Sequence, residues 1–376
     1  MVSKLVLQIN DDKVYDGDIN TLLAKNTKLK SILTKCKNKI TEHYRTKLWD
    51  RYKKLTNEYE LIFTTPNIGS ISLYSPVSRS FFKMWEILYD FESTLELHAP
   101  TMNVMFLAEG PGGFAEAFVK YRSQTHTHDT YHGISLKSVN KNIPEWKYQQ
   151  KVNICYGQDG TGDLYKLNNL DYLKHNLPKM NIITADGGFD FSSDFNGQEE
   201  LSLRLILCEI YAALNTQAES GNFILKIYDV FHEYTLKTIM LLKQFYQDIY
   251  ILKPLSSRPA NSEKYLVCTG FRGNDPVVSE RLGVLISKYN DTTLAEFFKT
   301  ISNDVNVLHN IVSNNAYHTL RQVFYIEQTI QYITEFGKNF YDNEIKQKIK
   351  QITAEHREKA IKWCEKYNLE HTTLAV

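Results

Sequence analysis

One stretch constrains this chain more than any other: residues 103–118, which read NVMFLAEGPGGFAEAF. An apolar run, Val104 to Ala108, leads into Glu109 and then Gly110, Pro111, Gly112, Gly113 and Phe114. Ala115, Ala117, Phe118 and Val119 continue at helical spacing. The pattern predicts a strand, a tight glycine turn and a helix. Glycine has no Cβ, so the backbone of such a turn can approach a ligand closely. In open α/β sheets the ligand crevice lies at the carboxyl ends of the strands, where this turn falls. An ordinary βα loop rich in glycine would read the same way. Two phosphate-binding patterns are excluded: Gly110, Gly112 and Gly113 do not complete G-x-G-x-x-G, and no Gly-Lys-Ser/Thr follows them.

The rest of the chain sets bounds. Its 376 residues, 43% of them hydrophobic, support one sizeable α/β domain with additions, or two domains. Lys+Arg 44 against Asp+Glu 43 leaves a net charge of +1, so a nucleic-acid site must be a local patch. One candidate exists: eleven Lys and Arg fall between Lys25 and Lys54, opposed only by Glu42 and Asp50. Such a face either contacts an RNA backbone or is simply solvated. The five cysteines are scattered without a C-x-x-C pair, which argues against zinc or a disulfide frame and for a reducing, intracellular compartment. Met1–Lys4 opens no signal-peptide apolar region, and no apolar run has membrane-spanning length.

In order, Leu5, Leu7 and Ile9 alternate as a short strand, and residues 19–61 follow a helical pattern. Ser78 is a candidate N-cap for a helix that carries Lys83 in its first turn, an unfavourable place for a cation. After the glycine turn, strands are expected at 131–136, 152–156, 181–185, 222–228, 248–252 and 264–271. Asp159 and Asp163 follow one of these strands, either as ligand-binding acids or as Asx turns. Asp186-Gly187-Gly188 ends another, aiming a carboxylate at the crevice. Lys226 interrupts an apolar strand, where a lysine is costly unless paired or functional. Glu263 opens the last strand, which should pair antiparallel with the one before it. The chain beyond Gly273-Asn274-Asp275-Pro276 is largely helical. The expected organisation is a basic helical extension at 1–62, an α/β domain at 63–275 and a helical region at 276–376.

Several short runs now converge. Ser-Arg-x-x-Phe-Lys at Lys83, Gly-Pro-Gly-Gly-Phe at Gly110, Ala-Asp-Gly-Gly at Asp186, Ile-Leu-Lys at Lys226 and Ser-Ser-Arg-Pro-x-x-Ser-Glu at Glu263 occur in this order. Together they resemble an FtsJ-like RNA ribose 2′-O-methyltransferase, over about Ser75 to Phe271. The resemblance implies a Rossmann-like fold with a seven-stranded, mostly parallel sheet. Phe114-Ala115-Glu116, Gly133 to Lys137 and Ser256 to Pro259 are more similar to mRNA cap methyltransferases than to ribosomal ones. Thr184 to Gly188, Gln198 to Leu201 and Asn261 to Glu263 also resemble proteins of large cytoplasmic DNA viruses, which implies viral origin and a host-cytoplasm or virion location.

What the resemblance implies is methyl transfer from S-adenosylmethionine to a ribose 2′-hydroxyl, at the first transcribed nucleotide of capped mRNA. Internal or ribosomal RNA as substrate, and a noncatalytic RNA-binding subunit, are the alternatives. Lys83, Asp186, Lys226 and Glu263 would form the catalytic tetrad, with Lys226 as the base-like residue. Lysine starts near pKa ~10.4 and must be lowered to accept a proton near neutrality. Burial and Lys83 are expected to push that way, Asp186 and Glu263 the other. Glu109, Gly110, Pro111, Gly112, Gly113 and Phe114 would hold the cofactor, with Asp163 on its adenine side and Asp186 serving both roles. Arg79, Ser257 and Arg258 are candidates for RNA phosphates. Other capping or transcription proteins are possible partners, and the chemistry requires no metal.

Overall fold

The computed structural model describes residues 6–9, 15–44, 47–64, 69–125, 128–137, 144–148, 150–189, 191, 194–337, 339 and 342–372. Leu5, expected in the first strand, lies outside them. The strands are β1 (Val6–Ile9), β2 (Asn103–Leu107), β3 (Thr130–Ile134), β4 (Val152–Cys155), β5 (Met180–Ala185), β6 (Gln217–Ile227), β7 (Tyr246–Leu252) and β8 (Lys264–Phe271). They form one sheet in the order β1-β7-β8-β6-β5-β2-β3-β4. Pairings from β4 across to β6 are parallel, and those linking β6, β8, β7 and β1 are antiparallel. The expected seven strands become eight because Val6–Ile9 pairs with the β7 edge, a partner more than two hundred residues away that local pattern cannot specify.

The helices are α1 (Ile19–Tyr44), α2 (Leu48–Leu55), α3 (Ser80–Asp90), α4 (Gly113–Arg122), α5 (Leu167–Asn176), α6 (Gln198–Thr216), α7 (Glu233–Phe245), α8 (Pro276–Ser287), α9 (Asp291–Phe298), α10 (Val305–Phe336) and α11 (Asn343–Lys366). The long helical pattern expected at 19–61 is thus α1, α2 and a 3-10 turn at Glu60–Ile62. Ser78 does not cap α3; its hydroxyl bonds the Ser80 hydroxyl at 2.5 Å instead. Asp275 caps α8, with Pro276 in its first turn.

Both faces of the sheet are covered, so its central strands read as continuous apolar runs. Side chains alternate across the sheet. Met105 and Leu107 enter a core cluster with α6, α7 and α8, whereas Val104 and Phe106 enter a second cluster with α3 and α4. The terminal regions are built into this core. Ile9 and Leu22 belong to the first cluster, and Trp363, Cys364 and Tyr367 to the second. A third cluster joins α1 and α2 to α10. All five cysteines are free. No described helix is long and apolar enough to cross a membrane.

Candidate active site

Lys226 owes its direction to the pleat. Phe223, Leu225 and Ile227 enter one core cluster and Ile224 the other, so Lys226 projects on the Ile224 face, toward α3 and α4. Its Nζ donates to the Asp186 carbonyl at 2.8 Å and lies 3.2 Å from Asp186 Oδ1. Asp186 directly follows β5, the parallel neighbour of β6. Tyr265, the cross-strand partner of Lys226 on β8, donates its hydroxyl to the same Oδ1 at 3.0 Å. A Cβ on Gly188 would lie 2.9 Å from both Lys226 Nζ and the Tyr228 hydroxyl. Glycine there lets the turn close over the ammonium.

The charge state of Lys226 corrects the expectation. Burial does push its pKa down, but the Asp186 carboxylate, with Tyr228 and Glu263, outweighs burial and holds it above the ordinary lysine range. The reason the like-charge effect of Lys83 fails to reverse this is visible: its Nζ sits 2.8 Å from both carboxylate oxygens of Glu263. That pairing also answers the cation's unfavourable place in the first turn of α3.

Glu263 stands in a braced loop. Ser257 donates its hydroxyl to Glu263 Oε1 at 2.9 Å. Buried Lys253 donates to the Asn261 carbonyl at 2.9 Å, the Asn261 side-chain oxygen at 2.5 Å and the Glu263 carbonyl at 2.7 Å. Beneath the loop, fully buried Glu86 of α3 accepts from Leu255 N at 2.8 Å and from Ser256 N, Ser256 Oγ and Trp363 Nε1 at 3.1 Å each. Burial would raise the Glu263 carboxyl, yet Lys83, Lys226 and Lys253 hold it well below the usual carboxylate range. The four expected catalytic residues therefore converge as two ion pairs, each side chain 9 to 14% exposed.

The glycine turn adjoins this cluster. Gly112 adopts φ 104° before α4, a conformation that favours glycine. A Cβ on Gly113 would lie 2.3 Å from the hydroxyls of Ser78 and Ser80, so α4 meets the start of α3 only because it is absent. Pro111 and Phe114 complete the turn; Phe114 is buried and packs tilted against Tyr265 with ring centroids 5.7 Å apart. The carbonyl of Pro111 accepts from Lys147 N and Tyr148 N at 3.0 and 3.2 Å. Gly110 would strike the Pro144 carbonyl at 2.3 Å if it carried a Cβ.

Just before the turn, Ala108 has φ 55°, a rare value for a residue with a side chain that costs backbone strain. Glu109 follows, buried, with one oxygen accepting from Thr184 Oγ1 and the other without a partner. Burial raises its carboxyl well above the usual range. Glu209 of α6, also buried, leaves Oε1 without a partner, and burial pushes it up to about 8 against the attraction of Lys226. Glu109 and Glu209 thus leave two buried oxygens open near the Lys226–Asp186 pair, acceptors that a ligand could fill. Asp163 accepts from Tyr165 N at 2.9 Å, beside Gly162, whose Cβ would meet the Ser135 carbonyl. This places it at the carboxyl ends of β3 and β4. Asp159 is a satisfied turn acid, accepting from Thr161, Lys166 and Asn169.

The residues expected on RNA phosphates need correction. Arg79 donates to the carbonyls of Phe63 at 2.8 Å, Glu60 at 3.3 Å and Tyr59 and Ser256 at 3.2 Å. Ser257 is spent on Glu263. Arg258 forks onto Glu60 at 3.0 and 2.8 Å. These side chains hold the catalytic loop to the Tyr59–Phe63 segment. The basic patch is partly internal too: Lys37 is buried, 2.6 Å from Asp229, whereas Lys25, Lys28 and Lys35 are exposed. Tyr265, Tyr228, Lys253 and Glu209 went unforeseen. Of these only Glu209 carried a sequence signal, the one that marked Lys226: a charge inside an apolar run.

An α/β sheet with a glycine turn at one strand end and a Lys-Asp-Lys-Glu cluster beside it defines a methyltransferase-type fold. The model of the FtsJ-like methyltransferase family matches residues 76–271, just over half the chain, and the protein belongs to that family. Curated relatives share the description cap-specific mRNA (nucleoside-2′-O-)-methyltransferase 1. That of Trypanosoma brucei brucei is 33% identical over 181 residues, 46% of this chain and 48% of its own length. That of Dictyostelium discoideum is 30% identical over 237 residues, 57% of this chain and 31% of its own. That of Xenopus laevis is 28% identical over 338 residues, 84% of this chain and 38% of its own. The chain spans less than half the length of these relatives. All three are eukaryotic, and they lend no support to the expected viral origin.

Proposed function

We propose that the protein transfers a methyl group from S-adenosylmethionine to a ribose 2′-hydroxyl of RNA, at the first transcribed nucleotide of capped mRNA. The observation that carries this reading is the closure of Lys83, Asp186, Lys226 and Glu263 into two ion pairs beside the glycine turn. The printed description of the relatives supports the capped substrate.

The residues fit the cofactor. S-adenosylmethionine carries a sulfonium and an ammonium; the Asp186 carboxylate offers the matching charge, and the unpartnered oxygens of Glu109 and Glu209 offer acceptors. Gly110 to Phe114 and Glu109 would hold its amino-acid end and Asp163 its adenine side. When bound, it supplies a methyl group already activated on positively charged sulfur. Lys226, held protonated here, first acts as a donor that fixes the orientation of the ribose hydroxyl. In its neutral form, its own proton having passed to solvent, Lys226 would accept the ribose hydroxyl proton as the oxygen is methylated. Lys83 and Glu263 keep the loop in register with Lys226. Other capping proteins would be natural partners, within a reducing cell compartment.

Labelled methyl transfer to short capped and uncapped RNAs tests the reading, wild type beside Lys226→Ala. Transfer to capped RNA at a 2′-oxygen is expected, falling by roughly 10²–10⁴-fold in the variant. Equal transfer to uncapped RNA would point to internal RNA. Cofactor binding without transfer to any RNA would point to a noncatalytic subunit.

A further inference from the structure

The basic stretch of α1 has an outer face with no part in the site. Lys25, Lys28, Ile32, Lys35 and Lys39 recur at alternating spacings of three and four. They therefore form one stripe along the helix, about 21 Å long at 1.5 Å per residue. On α10, Leu320, Phe324 and Glu327 form a second stripe by the same rule. The two stripes are neighbours. Lys39 Nζ lies 2.6 Å from Glu327 Oε1, and Cys36 Sγ lies 3.9 Å from the Val323 carbonyl. Further back along both helices, the Asn315 side chain donates to Asn26 Oδ1 at 2.7 Å. The helices thus run parallel, and Ile32 comes level with the Leu320–Phe324 turn.

This face is unlike an ordinary solvated one. Ile32, Leu320 and Phe324 are 37, 57 and 60% exposed, and adjoining large apolar side chains left in water mark an interaction surface. The charge around them is of one sign. Among the described residues, the ion pairs of α1 are Lys30 to Glu200, Lys37 to Asp229 and Lys39 to Glu327. That leaves exposed Lys25, Lys28 and Lys35 without an acid. An RNA strand would suit the lysines but not Ile32 and Leu320, since bases stack on aromatic rings. A second copy would set lysine against lysine, because a two-fold contact joins a patch to itself. Both features suit an amphipathic helix with apolar anchors at i, i+3 or i+4 and i+7, flanked by Asp and Glu.

We propose that the outer face of α1 and α10 docks an acidic amphipathic helix of a partner protein. Ile32, Leu320 and Phe324 take its apolar residues, and Lys25, Lys28 and Lys35 its carboxylates. On the inner sides of the same two helices, Lys37 bonds Asp229 and Gln322 bonds Ser262, next to Glu263. A docked partner is thereby held beside the Lys-Asp-Lys-Glu cluster without entering it.

Fluorescence anisotropy with labelled synthetic helices tests this. The probe is an amphipathic peptide of Leu and Glu, and its control carries Lys in place of Glu. The Glu peptide should bind, more weakly as salt rises, and the Lys peptide should not. Leu320→Ser with Phe324→Ser, and separately Lys28→Glu with Lys35→Glu, should each weaken binding by about tenfold or more, the scale of interface anchors. All four side chains face solvent, so thermal midpoints should stay near wild type, which separates lost docking from lost fold. No binding of the Glu peptide, equal binding of the two peptides, or binding that either double variant leaves unchanged overturns the proposal. So does binding of a short uncapped RNA that the lysine changes weaken and the apolar changes do not, since the face would then be an RNA track. Sedimentation that shows a wild-type dimer, split by Leu320→Ser with Phe324→Ser, overturns it in favour of a second copy.

Discussion

The two walls of packed elements on either side of the Lys-Asp-Lys-Glu cluster are built on opposite electrostatic plans. On the wall of β2, β5 and α6, Asp186 pairs with Lys226 while Glu109 and Glu209, both raised by burial, each leave one oxygen without a hydrogen-bond partner. On the wall of α3 and the 253–263 loop, acids and donors are matched: Lys83 on Glu263, Lys253 on two loop carbonyls, and four donors on Glu86. A buried polar group left unmatched costs stability, so the first wall is tolerated for what it binds. The second wall is a frame, and its job is to keep Glu263 in place.

If that contrast is right, deleting a carboxylate should have opposite signs on the two walls. The largest effect is expected from Glu86→Ala, which strands four donors at once. It should lower stability by about 4 kcal/mol, seen as a lower thermal midpoint, and release the loop. A midpoint near wild type would mean that the loop is held elsewhere. A smaller loss, about 2 kcal/mol, is expected from Lys37→Met. Breaking a lone buried pair costs ~3–5 kcal/mol, but Lys264 remains 3.8 Å from Asp229 and Ser262 still donates to it.

Glu209→Gln should act the other way, with a gain that grows as pH rises. The Glu209 carboxyl is raised in the fold to about 8 from 4.5. Its contribution to stability is therefore fullest below pH 4.5 and is lost as pH rises to about 8. Gln lacks this decline, so the variant should gain on wild type by at most roughly 1.4 kcal/mol per pH unit across that window. Thermal midpoints recorded from pH 5 to 9 check it; parallel curves would place Glu209 outside the unmatched wall.

How much of this was legible in the sequence differs by wall as well. The glycine turn, Asp186 and Lys226 announce themselves because each breaks a local pattern within a few residues. Glu209 breaks one too, but α6 reads as an amphipathic helix with a polar face. In the fold α6 is buried on nearly every side from Leu205 to Thr216, so no such face exists there. The frame was largely illegible. Glu60 meets Arg258 across 198 positions, and Glu86 meets Trp363 across 277. Spacing gives no hint of such pairs, and arginines that look free for phosphate in the sequence turn out to be engaged at home. The protonation of Lys226 is illegible for a related reason: Asp186, Tyr228 and Glu263 together outweigh burial, a balance of groups from separate segments that spacing does not give.

The bond from Trp363 to Glu86 has a consequence for the chain as it is made. Synthesis runs from Lys83 to Glu263 long before α11 exists, so all four reactive side chains emerge from the ribosome with their loop still missing one of its anchors. Only when residue 363 has followed can Trp363 seat on Glu86 and Tyr367 accept from Trp85 at 2.8 Å. The loop that carries Glu263 is therefore fully braced only once α11 has docked.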